Sequence, residues 1–142
     1  DRRYQSHQTF AALPMYEEMI VTGAWWDYVD PLAGHRIGGL LHTYPAKMKP
    51  ILRRWAKGTD LWKRRSAILS QLTFKAETDL ALLYACIQPN FGDSEFFIRK
   101  AIGWALRQYA WTDPEEVRRC VRTHEAELSP LSRREALKNI GP

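Results

Sequence analysis

The sequence predicts an all-α fold, an α-solenoid of stacked antiparallel helix pairs forming one domain over residues 1–142. Three observations predict it. Apolar residues recur at helical spacing through most of the chain, and the alternation typical of strands is nearly absent. Short polar joints with glycine, proline or a capping residue separate these segments. Similar helical segments also recur at a period near 35 residues, which is typical of helical-hairpin repeats.

The first half of the chain contains four predicted helices. They cover residues 13–21, 30–42, 48–56 and 60–72. The first stops at Gly23. The second begins at Asp30 or Pro31, because Asp-Pro is a common pair of N-cap and first helical residue. Ile37, Leu40 and Leu41 are expected on its inward face. The fourth is expected to bury a stripe of apolar residues: Leu61, Ile68, Leu69 and Leu72.

The second half contains four more predicted helices, at residues 78–87, 95–110, 112–125 and 129–140. Polar residues mark the start of three of them. Asp93 or Ser94 caps the second, the segment Thr112-Asp113-Pro114-Glu115 has a capping-box pattern before the third, and Ser129-Pro130 starts the last. Eight helices joined by short polar segments therefore fill the chain, without an interdomain linker.

The repeat is carried by three short segments: Arg65-Ser66-Ala67-Ile68, Lys100-Ala101-Ile102-Gly103 and Arg134-Glu135-Ala136-Leu137. Trp62 and Phe97 keep the same 35-residue offset. Stacked helical pairs curve, so that one layer of helices lines a concave surface. Arg65, Lys100 and Arg134 are therefore predicted to lie on equivalent faces of successive inner helices. The alternative is that they are charges on the outer surface.

Basic residues concentrate in one segment of a chain whose net charge is +5. Eight lysines and arginines but only one acid, Asp60, lie between Lys47 and Arg65. Such a segment fits a polyanionic partner, and it predicts that the concave groove is basic. The alternative is an ordinary solvated helix face.

Composition bears on other functional classes. No stretch of about 18 uncharged apolar residues is present, so no transmembrane helix is expected. Cys86 and Cys120 lie in apolar helical patterns, and we expect buried free thiols in a reducing cytosol. The four histidines form no ligand pattern with these cysteines, so neither a metal nor another cofactor is expected. The polar segment Asp1–His7 is expected to be the end of something longer, and the protein is expected to be a cytoplasmic monomer.

One motif, Trp25-Trp26-Asp27-Tyr28-Val29-Asp30, stands apart from an ordinary core pattern. If residues 26–30 are helical, Trp26 and Asp30 share a face one turn apart. An aromatic plane beside an anion suits a flat, positively charged ligand. In the alternative interpretation, Asp30 is a helix cap and the tryptophans fill a gap between helices. Spacing alone favours that alternative.

Four motifs together resemble the bacterial AlkD-type DNA alkylation repair glycosylases. They are the Trp25–Asp30 motif and the segments 61–69, 96–107 and 131–136. The motifs occur in the same order as in that family and extend over most of the chain. That family is similar in architecture to HEAT repeats, in agreement with the period found above. The resemblance covers what corresponds to the C-terminal two-thirds of a typical member.

The resemblance implies hydrolysis of the N-glycosidic bond of N3- and N7-alkylated purines in duplex DNA, as the first step of base excision repair. It implies catalytic roles for Trp26, Asp30 and Trp104. It further implies that Arg65 binds the DNA backbone beside the lesion, and that Arg107 makes a second phosphate contact. Lys100 and Arg134, which are predicted to share the inner face with Arg65, are the other two expected DNA-binding residues. Pro31 departs from the family pattern and puts the local geometry of Asp30 in question.

Other functions stay open at this point. A related protein could bind damaged or branched DNA without hydrolysis, or a helical-repeat scaffold could hold a peptide. A lyase acting through a Schiff base would need a nucleophilic lysine, for which Lys100 is the one candidate. The presence of Trp26, Asp30 and Trp104 together favours the glycosylase.

Overall fold

A computed structural model describes residues 9–142, and helices dominate them. The segment Asp1–His7 lies outside the described residues. The helices are α1 (Leu13–Gly23), α2 (Trp26–Pro31), a π-helix (Leu32–Ile37), α3 (Gly38–Thr43), α4 (Pro45–Ala56), α5 (Leu61–Leu69), α6 (Leu80–Ile87), α7 (Phe96–Ala110), α8 (Pro114–Thr123) and α9 (Pro130–Leu137). Short 3₁₀ turns cover Phe10–Ala12, Lys75–Glu77 and Gln88–Asn90. No strand occurs in the described part of the chain, and the all-α prediction is confirmed.

The helices pack in a regular succession. Helix α5 packs against the π-helix on one side and α7 on the other, and α7 packs against α9. Helix α4 packs on α3, α5 and α6, while α8 packs on α7 and α9. One continuous apolar core connects these layers. Its largest fully buried side chains are Ile20, Ile37, Leu40, Met48, Leu52, Ile68, Leu69, Leu82, Ile87, Ile98, Ile102 and Leu106.

The second predicted helix begins earlier than expected, and Asp30 is not its cap. Helix α2 starts at Trp26 after an extended Trp25, so Asp30 and Pro31 are both inside it. Pro31 lacks the N–H that would continue the α-helical hydrogen bonding, and a π-helix follows it directly. The inward face was predicted correctly, because Ile37, Leu40 and Leu41 are all buried.

Several predicted helix ends also differ by a few residues. The box before α8 is capped by Asp113, whose side chain accepts from the Glu116 N–H, and not by Thr112. Glu95 stands at the N-cap of α7 without a side-chain cap bond. Helix α6 begins at Leu80 after an Asp79 cap, and α5 and α9 end at Leu69 and Leu137. Asp60 and Ser129 cap α5 and α9; the Ser129-Pro130 start was predicted correctly.

The expected stripe of α5 is only partly buried: Ile68 and Leu69 lie in the core, while Leu61 and Leu72 are half-buried. Both cysteines are buried free thiols, as predicted. Burial raises the pKa of the Cys86 thiol to about 12 and that of the Cys120 thiol to about 11. Neither thiol is therefore suited to nucleophilic chemistry.

Candidate active site

Asp30 and Arg65 form an ion pair between α2 and α5, in which Arg65 is buried and Asp30 is largely covered. The Arg65 Nε donates to Asp30 Oδ1 at 2.8 Å, and Nη2 donates to Oδ2 at 2.9 Å. The Arg65 Nη1 donates to the Phe97 carbonyl oxygen of α7 at 2.5 Å. The Asp30 side chain is 12% exposed and that of Arg65 is 5% exposed. The Arg65 guanidinium thus binds both oxygens of the Asp30 carboxylate in the two-point geometry typical of arginine. It also links α2 to α5 and α7.

Trp26 lies one turn before Asp30 on α2, as the helical spacing requires. Its side chain is 46% exposed. Trp104 is half-buried on α7, seven residues after Phe97. A seven-residue step keeps nearly the same helix face and advances about 10 Å along the axis. Trp104 therefore lies on the same face of α7 as Phe97, whose carbonyl oxygen binds Arg65. Helix α7 packs against α5, which carries Arg65.

Among the described residues, Trp25 and not Trp26 makes the aromatic contacts of the tryptophan pair. Its ring centroid lies 5.5 Å from that of Phe97 and 6.2 Å from that of Trp62. Trp62 and Phe97 are themselves 5.2 Å apart, and the Arg65 guanidinium carbon lies 5.8 Å from the Phe97 ring centroid. We call Trp25, Trp62 and Phe97 the aromatic cluster. The aromatic cluster borders the Asp30–Arg65 pair. In the sequence, the 35-residue offset between Trp62 and Phe97 indicated that these two residues occupy equivalent positions.

Lys100 and Arg107 both bind Glu135, a residue that the sequence did not nominate. The Lys100 Nζ lies 2.7 Å from Glu135 Oε1, and the Arg107 Nη1 lies 2.9 Å from Oε2. The hydrogen bond from Lys100 holds the pKa of the Glu135 carboxyl below its ordinary value, although burial opposes this shift. Lys100 keeps 39% of its side chain exposed and Arg107 keeps 25%, so both guanidinium and ammonium groups remain partly accessible.

The third repeat segment is displaced by one residue from the expected register. Glu135, and not Arg134, stands opposite Lys100, and the two are 35 residues apart, as are Asp30 and Arg65. Ser66, Ala101 and Ala136 follow in the same register and are all buried. Arg134 points instead to a groove that it shares with residues of α8. The offset of 34 residues in the sequence was the signal of this shift.

Half of the basic residues in this segment pair with acids from other parts of the chain. Lys49, Lys63, Arg64 and Arg65 pair with Asp79, Glu17, Asp93 and Asp30, respectively. Lys47 lies over the Phe10 ring. Arg53, Arg54 and Lys57, near the end of α4, are exposed. The high local charge of the sequence therefore overstates the charge that this segment presents to a partner.

Comparison with known proteins decides the family. The sequence model described as DNA alkylation repair enzyme matches residues 1–140. The chain belongs to the DNA alkylation repair enzyme family. All four motifs that carried the resemblance lie within the matched residues, so the resemblance is confirmed. The two residues of the central ion pair are among those matched.

A solved structure of this kind, described as a predicted DNA alkylation repair enzyme from Enterococcus faecalis, is similar to the chain with a TM-score of 0.84 and 31% sequence identity. The similarity covers 96% of the present chain and 62% of the other. The chain thus spans less than two thirds of that family member. A search of curated proteins gave no match.

Proposed function

We propose that the protein hydrolyses the N-glycosidic bond of N3- and N7-alkylated purines in duplex DNA. Membership of the DNA alkylation repair enzyme family supports a role in the repair of alkylated DNA. The observation that carries the proposal is the Asp30 carboxylate, which is fixed by Arg65 one helical turn from an exposed indole. Within residues 9–142 no group of three histidine, cysteine or acidic side chains is placed to hold a metal ion.

The leaving group explains why one carboxylate is enough. An N3- or N7-alkylated purine already carries positive charge, so it departs without being protonated, and no general acid is required. Ordinary glycosidases use two carboxyl groups, one of them as this acid. As the base leaves, positive charge develops on the deoxyribose, which becomes similar to an oxocarbenium ion.

Asp30 is the group that we assign to this charge. Arg65 occupies one lone-pair direction on each carboxylate oxygen, and a carboxylate has about four such directions. Asp30 can therefore keep its arginine partner while it faces the deoxyribose and orients a water molecule for attack. A carboxylate that is already fixed needs little reorganisation when the charge appears, which is the condition for effective electrostatic catalysis.

Trp26 and Trp104 are assigned to the two sides of the same sugar. A ring face attracts a cation within about 6 Å of its centroid, and the attraction strengthens when water is excluded. The exposure of Trp26 leaves its ring available for this contact. Trp104 is less exposed and would offer an edge or part of a face from α7.

The phosphate contacts belong to the proposal as well. Lys100 and Arg107 are partly exposed and would bind the DNA backbone, with Glu135 holding them in place. The phosphate role of Arg65 stays a prediction. Because Arg65 is 4% exposed and three of its N–H groups are bound, a phosphate would reach it only through its two remaining N–H groups or after the pair with Asp30 opens.

Release of free 7-methylguanine from a methylated duplex tests the proposal. Asp30→Asn should lower the single-turnover rate by about 10²- to 10³-fold, because one fixed electrostatic group is lost. Its affinity for the duplex should stay close to that of the wild type. The matched control is Asp27→Asn on the same helix, where the side chain is exposed, and it should keep the wild-type rate. Circular dichroism would verify that each variant is folded.

An Asp30→Asn variant of normal rate would remove Asp30 from this role. A wild-type protein that binds the duplex but releases no base would favour the second candidate, a binder of damaged or branched DNA. One observation favours that candidate: the Asp30 side chain is only 12% exposed. A wild-type protein without affinity for duplex DNA would instead favour a helical-repeat scaffold.

A further inference from the structure

We propose that a groove between α8 and α9 binds a short acidic segment of a partner protein through both charge and apolar side chains. The groove has a volume of about 570 Å³, within the range of about 300–1,000 Å³ typical of ligand sites. Its floor is apolar and consists of Val121, Pro130, Leu137 and Pro142. It lies on the last helix pair of the chain, on the opposite side of α9 from Glu135.

The groove wall is held by bonds that fix its shape. Arg118 of α8 donates from Nη2 to the Ile140 carbonyl oxygen at 2.5 Å, and it also bonds to the carbonyl oxygen of Gly141 and to the Glu115 carboxylate. These bonds hold the segment that carries Pro142 against the groove. Arg133 of α9 pairs with Glu125 at 3.2 Å across the other edge. The groove is thus present before any partner arrives.

Two arginines at the groove are left for a partner. Arg122 and Arg134 are exposed, and within residues 9–142 neither makes an ion pair or a hydrogen bond through its guanidinium. The acid that lines the groove, Glu125, is engaged by Arg133. The groove therefore presents uncompensated positive charge beside an apolar floor, and complementarity requires an acidic partner.

The apolar floor favours a peptide over a nucleic acid as the ligand of this groove. A DNA backbone binds through phosphate and sugar contacts and gains little from aliphatic surface. A peptide that alternates acids with leucine or phenylalanine can satisfy Arg122 and Arg134 and also cover Val121 and Leu137. Arg134, which the sequence suggested for DNA, is therefore assigned to this groove. The proposal does not depend on glycosylase activity.

The test is fluorescence anisotropy with a labelled synthetic peptide of about 10 residues that alternates aspartate with leucine. Arg122→Glu should weaken binding by about tenfold, and adding Arg134→Glu should weaken it further. The matched control is Arg53→Glu, an exposed arginine of α4, which makes the same change in net charge and should leave peptide affinity unaltered. Excision by the Arg122→Glu variant should equal that of the wild type.

Two further probes separate charge from shape. A peptide with serine in place of leucine should bind at least about tenfold more weakly, because the apolar floor is no longer covered. Plain duplex DNA should not displace the leucine peptide at concentrations below those that saturate the DNA site. Equal binding of the serine and leucine peptides, equal loss with Arg53→Glu, or displacement by duplex DNA that depends on Arg122 would overturn the proposal.

Discussion

Replacing the members of the Asp30–Arg65 pair, singly and together, would measure their coupling. Removing one partner of a buried ion pair costs about 3–5 kcal/mol, because the other charge stays desolvated. Arg65→Met should reach this range, since the Asp30 side chain is only 12% exposed and the Phe97 carbonyl oxygen also loses a donor. Asp30→Asn should cost about 2 kcal/mol, because the amide oxygen can still accept one hydrogen bond.

The double variant should be less destabilised than the sum of the single changes. With both charges removed, neither is left buried without a partner, and the interaction energy should be about 2 kcal/mol. Urea unfolding followed by circular dichroism measures it. A domain of this size has a free energy of unfolding of roughly 7–20 kcal/mol at ~0.05–0.15 kcal/mol per residue, so all three variants should show a complete transition.

Additive losses, within about 0.5 kcal/mol, would refute the reasoning. Asp30 would then be held in place by helix packing alone, and Arg65 would lose its positioning role. The comparison pair is Arg133 and Glu125, whose side chains are 34% and 69% exposed. Breaking this surface pair should cost no more than about 1 kcal/mol.

Three other predictions follow from the packing. Gly103→Ala should destabilise the fold by about 1–3 kcal/mol, because the added Cβ would lie 2.5 Å from the Glu135 Cβ. Glu135→Gln should lower the stability of the fold at pH 7, because the hydrogen bond from Lys100 lowers the pKa of Glu135 and so favours the folded state. This stabilisation is lost as the pH falls below the ordinary glutamate pKa and through the lowered one. The difference in stability between variant and wild type should therefore disappear on acidification. Cys86 and Cys120 should react with a thiol reagent at pH 8 only after unfolding, because burial raises both pKa values.

Each of these measurements has a control within the chain. Gly34→Ala is the control for the glycine, because a Cβ there would meet no atom within 4 Å; equal destabilisation by both changes would contradict the steric argument. Urea unfolding at a series of pH values from 7 to 3 compares the free energy of unfolding of the Glu135→Gln variant with that of wild type. A difference that stays constant over this range would contradict the charge argument. Reaction of either thiol with the native protein as fast as with the unfolded protein would contradict the burial argument.

The sequence predicted the helical fold because apolar spacing and capping residues act locally. Ser129 caps α9 as expected, and the core face of the second helix was correct. The predicted start of that helix was wrong because an Asp-Pro pair is compatible with two structures. Proline suits the first turn of a helix, but Pro31 lies inside α2 and is followed directly by a π-helix. Tertiary packing selected the second.

The partners of the site residues could not be predicted from spacing. The sequence predicted that Arg65 and Lys100 bind DNA from an inner face, yet each pairs with a carboxylate 35 residues away. Long-range pairing depends on how successive helices dock, which periodicity in one helix does not specify. The signal was present in the equal offset of Asp30, Arg65, Lys100 and Glu135, but only the docked helices showed which charges meet.

The carboxylate of Asp30 is positioned by an arginine from the next helical unit and, through it, by a carbonyl group of the unit after that. Three successive layers must therefore be docked before this oxygen pair has a defined place. A hinge or slip between α2, α5 and α7 would move the anion relative to any group lying beside it. The position of the Asp30 carboxylate is consequently set by how these three helices dock on one another, and a change in their relative packing would displace it.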